Sequence, residues 1–361
     1  MIPVSKPYVG DEEKQAVMQV LESGMLVQGP RTATLEEKWA EVCGTAYAVA
    51  TSSGTTALHV ALLAHDIGPG DEVITTPFTF IASVNSIIYA GARPVFVDIE
   101  ETTFNINPEL IEAAITPRTK AIMPVHLYGH PCHMDAIMDI AQRHQLAVIE
   151  DVAQAIGASY RGQTTGSFGT GCFSLYATKN IMSAEGGMIT TNDEAFAQRC
   201  RMLRNHGMQR RYYHDMLGFN FRMTDLHAAI GLVQLDRLAA FTASRQANAT
   251  FFNQQIHSVQ TPTVQAGCEH VWHQYTIRVT QSANDGSARD KAVQQLNAAG
   301  VGTGIFYPLP ANQQPHLREL GMHEANVPVA ERLAQQVISL PVHPQLTQHE
   351  LETIVREVNA L

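Results

Sequence analysis

A lysine that could act as a nucleophile, two adjacent carboxylates and a hydroxyl-rich helix start carry the plainest chemistry in this sequence. Residues 172–187 read CFSLYATKNIMSAEGG. A strand there brings Ser174 and then Lys179 to its edge, and a Glu185-Gly186-Gly187 turn leads into another strand. Apolar neighbours and flexible glycines can desolvate the Lys179 amine, which lowers its pKa and frees it as a nucleophile. A lone lysine is more often a solvated surface charge. In residues 147–157, AVIEDVAQAIG, three apolar residues precede Glu150 and Asp151. Such a strand buries its body and releases acids at its C-terminal end, where ligands bind in open α/β sheets. Asp151 also reads as a helix N-cap, and the two roles are compatible. Residues 50–58, ATSSGTTAL, end a strand in small hydroxyl residues and begin a helix at Gly54 and Thr55. Unpaired N–H groups and the helix dipole make such a start an anion site. The GxxxxGK[ST] spacing of a nucleotide P-loop is absent.

The elements that must position these residues follow from hydrophobic periodicity. Apolar runs at 46–53, 71–77, 92–99, 119–126, 146–153, 171–178 and 186–192 read as strands. Helical spacing separates them, as in Thr55–His65, where Leu58, Ala61 and Leu62 share a face before the Gly68-Pro69-Gly70 turn. Strand–helix alternation implies a mostly parallel sheet covered on both faces, an α/β fold. After about residue 240 the pattern changes. HQYTIRV (273–279) alternates like a strand exposed on one face, a helix follows over 290–299, and GTGIFYP (302–308) reads as a short strand. Thr347 to Glu350 forms a capping box before Leu351, Ile354, Val355 and Val358 at helical spacing. The expected division is a large α/β unit over 1–240 and a smaller α+β unit over 241–361.

The chain of 361 residues is long enough for both units. Its formal charge of −10, with no basic stripe, argues against nucleic acid as a partner. No apolar stretch reaches the ~18 residues of a membrane helix. The N-terminus carries early acids and no signal-like run. Five scattered cysteines without CxxC read as reduced thiols, so a cytoplasmic location is expected. His126, His130 and His133 surround a Gly-Pro turn instead of sharing a helix face, and no metal is expected there.

In this order the segments resemble the DegT/DnrJ/EryC1/StrS family of pyridoxal-phosphate (PLP) aminotransferases, which make amino sugars on nucleotide carriers. The likeness runs from IPVSKP (2–7) through SSGTTAL, TTPFTFIAS, EDVAQAIGASY, SLYATKNIMSAEGG and GFNFRMTDLHAAIGLVQL to VGTGIFYPLP and SLPVHPQLT. It implies the type I (aspartate-aminotransferase-like) PLP fold. It makes Lys179 the Schiff-base lysine and Asp151 the partner of the pyridine nitrogen, which keeps the ring protonated and electron-accepting. By the same resemblance, Gln154 contacts the ring hydroxyl and Phe80 stacks on the ring. Gly54, Thr55 and Ser174 bind the phosphate, and Asn220 reaches the phosphate of a neighbouring subunit in a homodimer with shared sites. Arg222 and Tyr307 are candidate substrate contacts. The implied reaction moves an amino group, from L-glutamate, to a keto-sugar nucleotide.

Two departures bear on the sugar. Phe306 stands where the family usually has His before Tyr-Pro, and Met25 where an aromatic commonly follows Ser-Gly. Two other readings remain: a PLP-dependent sugar dehydratase, against which an intact Lys179 argues, and a PLP-binding regulatory protein without turnover.

Overall fold

All seven apolar runs pair into one sheet. They form β1 Tyr47–Thr51, β2 Glu72–Thr75, β3 Arg93–Phe96, β4 Thr119–Met123, β5 Ala147–Asp151, β6 Thr170–Ser174 and β7 Gly187–Thr191. The computed structural model of the chain describes residues 1–280 and 286–361. Strand order is β1-β7-β6-β5-β4-β2-β3, and only β7 runs antiparallel to its neighbours β1 and β6. Ile74 of β2 sits between Val95 of β3 and Ile122 of β4, which fixes the register at that edge.

The period of two along each strand divides the core into two layers. Val49, Ile149 and Ile189 face the helix Gly54–Ala64, where Val60 and Leu62 are fully buried. Their neighbours Ala48, Phe173 and Met188 face the helix Pro30–Cys43 through Leu35 and Trp39. Because both faces are covered, the strands read as nearly continuous apolar runs. Their parallel arrangement also brings the C-terminal ends carrying Thr51, Thr75, Asp151 and Ser174 to one rim of the sheet.

The helix Leu238–Gln255 leads from this core to a second one. Leu238 belongs to the sheet-side cluster, whereas Ala249 and Phe252 pack with Tyr275, Ile277, Leu340, Ile354 and Val358. There β8 Tyr275–Arg278 pairs antiparallel with β9 Val337–Leu340. The C-terminal helix Gln348–Asn359 starts on the expected capping box: Thr347 accepts from the Glu350 N–H at 3.3 Å, and Glu350 accepts from the Thr347 N–H at 2.8 Å.

Two local expectations need correction. β8 is buried along its whole length instead of exposed on one face. Thr276 pairs with Ser339 at 2.8 Å and Arg278 with Glu101 at 2.6 Å, so its polar residues are satisfied inside. GTGIFYP does not form a strand. Gly304 alone bridges Ser339, because the Phe306 carbonyl accepts from the Tyr128 hydroxyl and the Tyr307 hydroxyl accepts from Gln154, which draws the segment off the ladder.

Candidate active site

The rim of strand ends opens into a cavity of about 780 Å³ lined by Gly54, Thr55, Phe80, Asp151, Gln154, Ser174, Lys179 and Tyr307. Eight of the ten singled-out residues therefore converge, although they span more than 250 positions of sequence.

At one end lies the start of the helix Gly54–Ala64. Ser53 caps it by accepting from the Thr56 N–H at 3.1 Å, and the Ala57 N–H goes to the Ser53 carbonyl. The N–H groups of Gly54 and Thr55 are left for a ligand, which is where a phosphate would be held. Glycine at position 54 is a packing requirement. A Cβ there would lie 2.7 Å from the Ser174 Cβ and 3.2 Å from its Cα. Gly54→Ala is expected to push Ser174 away and weaken PLP affinity about tenfold or more, by the 1–3 kcal/mol typical of overpacking. Titration of cofactor absorbance in wild type and variant checks this.

Asp151 closes β5 and is nearly fully buried. Its Oδ2 accepts from the Ser83 hydroxyl at 2.7 Å and its Oδ1 from the Ala153 N–H at 3.0 Å. These bonds fix the carboxylate without neutralising it. Gln154 is oriented by its neighbours as well. Its Oε1 accepts from the Tyr128 N–H at 2.7 Å, so its Nε2 is the end presented to the cavity, 3.2 Å from the Tyr307 hydroxyl. An NH₂ group there suits an anionic ring oxygen. Phe80 is 56% exposed and offers its face to the cavity as a platform.

Burial lowers the pKa of Lys179 to about 8, while Asp151 pulls it partly back up. The expectation of a desolvated amine thus has a geometric basis. His273, also on the cavity wall, donates its Nδ1–H to the Asn180 side-chain oxygen at 3.0 Å, and burial drives its pKa well below the ordinary value. It is a neutral imidazole beside the amine.

Asn220 and Arg222 do not line this cavity. Asn220 is exposed and bridges Asn205, and Arg222 donates to the Asn205 side chain at 2.6 Å. Nearby Asp225 has a structural task, accepting from the N–H groups of Gly29, Arg31 and Thr32 at the start of the helix Pro30–Cys43. The three histidines are engaged separately. His126 pairs with Glu150 at 3.1 Å, His130 donates to the Pro131 carbonyl at 2.7 Å, and His133 lies 3.6 Å from Glu100. Among the described residues no cluster of three His, Cys, Asp or Glu side chains could hold a metal. Nor is any described helix long and apolar enough to cross a membrane.

Sequence reasoning did not assign Ser83, Tyr128, Arg245, His273 or His343, which orient the site or line it. Ser83 alone had a signal, three residues beyond Phe80 on the first turn of a helix.

The arrangement is a helix start with two free N–H groups, a fixed carboxylate, an oriented amide, an exposed aromatic ring and an amine of lowered pKa. The model of the DegT/DnrJ/EryC1/StrS aminotransferase family matches residues 7–359. The chain belongs to that family. Over 95% of its length it is 43% identical to a UDP-N-acetyl-3-dehydro-α-D-glucosamine 3-aminotransferase of Acidithiobacillus ferrooxidans, covering 92% of that protein. A pleiotropic regulatory protein of Geobacillus stearothermophilus is 41% identical over 99% of this chain and 97% of its own. The solved PLP form of Spr1654, a sugar aminotransferase candidate from Streptococcus pneumoniae, superposes with a TM-score of 0.94 at 29% identity, covering 99% and 98% of the two chains. This aminotransferase therefore has the type I PLP-transferase fold expected from its sequence, and the aminotransferases of its family are PLP-dependent.

Proposed function

We propose that this aminotransferase uses PLP held by Lys179 to move an amino group from an amino acid, L-glutamate, to a keto-sugar nucleotide. The observation that carries the reading is the convergence of the Lys179 amine, the Asp151 carboxylate and the free N–H groups of Gly54 and Thr55 on one cavity. PLP fits these donors, and when bound it supplies an aldehyde carbon and a ring that accepts electrons. Gly54, Thr55 and Ser174 hold the phosphate. Asp151 would keep the ring nitrogen protonated, Gln154 would donate to the ring hydroxyl and Phe80 would stack on the ring. Lys179 Nζ takes the proton from the donor α-carbon and later returns one, as base and then acid. A pKa near 8 suits both duties near neutral pH. Tyr307 faces the incoming sugar. Residues 1–240 form the cofactor unit and 241–361 the smaller one, in a cytoplasmic enzyme.

The direct test incubates the protein with PLP, L-glutamate and a panel of keto-sugar nucleotides. 2-Oxoglutarate should accumulate catalytically only when an accepted sugar is present, and borohydride should fix the cofactor on Lys179. Amine uptake that no sugar discharges would point to a regulatory protein instead.

The active unit is a homodimer in which Asn220 of one chain completes the phosphate site of the other, with Arg222 beside it at the shared sugar site. Its exposure, outside the cavity of its own chain, supports this. Asn220→Ala should loosen PLP, and mixing it with Lys179→Ala chains should restore about half of wild-type activity per hybrid dimer, because one of its two sites then carries both intact residues. Hybrids that form without regaining activity would refute the shared site.

A further inference from the structure

A buried arginine on the cavity wall has no counter-ion among the described residues. Arg245, on the helix Leu238–Gln255, is 6% exposed and lines the cavity beside Lys179 and His273. Its Nη1 donates to the Trp272 carbonyl at 3.1 Å and to the His273 carbonyl at 3.4 Å. Its Nε is buried without any acceptor. Every other arginine buried to this degree has an acid: Arg204 pairs with Glu36, Arg278 with Glu101 and Arg289 with Asp290. A guanidinium cannot escape the cost of burial by losing its proton, so a dry, unpaired one is held at considerable expense.

The remaining groups on this side of the cavity add no negative charge. The only carboxylates on the wall are Asp151 and Glu185, and neither pairs with Arg245. His343 lines the same wall, where burial lowers its pKa and the Arg245 charge lowers it further, so it stands there as a neutral imidazole. Burial depresses the pKa of Arg245 to about 10 with no carboxylate acting against that shift. This wall thus carries an unpaired positive charge in the cavity that Lys179 also lines.

We propose that Arg245, with His343 beside it, binds a carboxylate of the amino-acid donor. This rests on the transaminase reading and deepens it by naming the donor subsite. A carboxylate suits the site because a guanidinium–carboxylate pair is short, strong and directional, and an enclosed site strengthens it. Such a pair sets the donor beside Lys179, where proximity counts for the proton transfer. The sugar nucleotide carries no carboxylate at its reacting carbon, so Arg245 separates the two half-reactions: it serves the donor and is idle toward the acceptor.

The experiment uses the full-length holoenzyme with wild type, Arg245→Lys, Arg245→Gln and His343→Ala. The donor half-reaction is followed by the loss of cofactor absorbance on adding L-glutamate. The acceptor half-reaction is followed by its return when the aminated form meets a keto-sugar nucleotide. For Arg245→Gln the L-glutamate concentration at half-maximal rate should rise about 100-fold, the size of a lost buried charge pair. Arg245→Lys should recover part of it, His343→Ala should show a smaller rise, and the acceptor half-reaction should change less than about threefold. Succinate, which binds but cannot react, should raise the melting temperature of wild-type holoenzyme and not that of Arg245→Gln. Equal loss in both half-reactions, an unchanged glutamate dependence, or a succinate shift that survives Arg245→Gln each overturns the proposal. If wild type itself never transfers an amine from any amino acid while succinate still stabilises it through Arg245, the transaminase reading has failed and the carboxylate site has not. Should Arg245→Gln fail to fold, Arg245→Lys and the succinate shift of wild type against it decide the matter.

Discussion

Lys179→Met should lower transamination at least about 10⁴-fold and leave the fold as stable as wild type or more so at neutral pH. The rate loss follows from two duties on one atom, since the amine both bonds the cofactor and carries the proton; residues that act as a unit lose nearly everything together. Stability moves the other way because the site disfavours the charge it holds. In the folded chain the amine titrates near 8 and in the unfolded chain near 10.5. Below pH 8 both states are protonated and the folded state carries the burial penalty in full. Between about pH 8 and 10.5 the unfolded state binds more protons, so wild-type stability rises with pH across that window relative to a neutral side chain. Methionine keeps the apolar stem and removes the charge. Melting of the cofactor-free proteins at pH 7 and pH 10 should therefore show the variant ahead at pH 7 and the gap closing at pH 10. Residual turnover well above about 0.01 per cent, the 10⁴-fold loss, or a gap that widens with pH, would contradict this account.

The sheet was legible because its central strands are covered on both faces and therefore carry nearly continuous apolar runs between turn signals. Direction was not legible. GGMITT looks alike whether the strand runs with its neighbours or against them, and β7 runs against. HQYTIRV misled for a related reason: alternation implies a wet face only where water reaches it, and here the buried Thr276 and Arg278 find partners far away in sequence. In GTGIFYP the local β-propensity lost to tertiary bonds made by Tyr128 and Gln154. The site divides the same way. Lys179, Asp151 and Gly54 sit where strand ends and helix starts announce themselves. Arg245 and His343 lie on a helix and a loop whose patterns describe only packing, and nothing short of the folded cavity reveals that the arginine lacks an acid.

Asp151→Asn should be nearly as damaging as loss of the lysine, at about 10³-fold in rate, and its effect on the amine gives it a distinct signature. Asparagine can still accept from the Ala153 N–H through its oxygen and donate its amide N–H to the Ser83 hydroxyl, so the side chain stays where β5 puts it. What disappears is negative charge. In the proposed function this charge would keep the ring nitrogen of PLP protonated, so its loss should remove a preorganised electrostatic stabilisation worth several kcal/mol. Asp151 also raises the Lys179 pKa against the effect of burial. Its removal should shift the amine further down, below about 8, so that the cofactor-free variant bonds the PLP aldehyde at lower pH than wild type does. The rate of aldehyde bonding against pH measures this directly. Ser83→Ala removes one supporting hydrogen bond and keeps the charge, so it should cost about tenfold in rate and leave the amine titration where it was. If Asp151→Asn and Ser83→Ala gave the same titration midpoint, the carboxylate would be acting through position alone, and the electrostatic coupling between Asp151 and Lys179 would have to be abandoned.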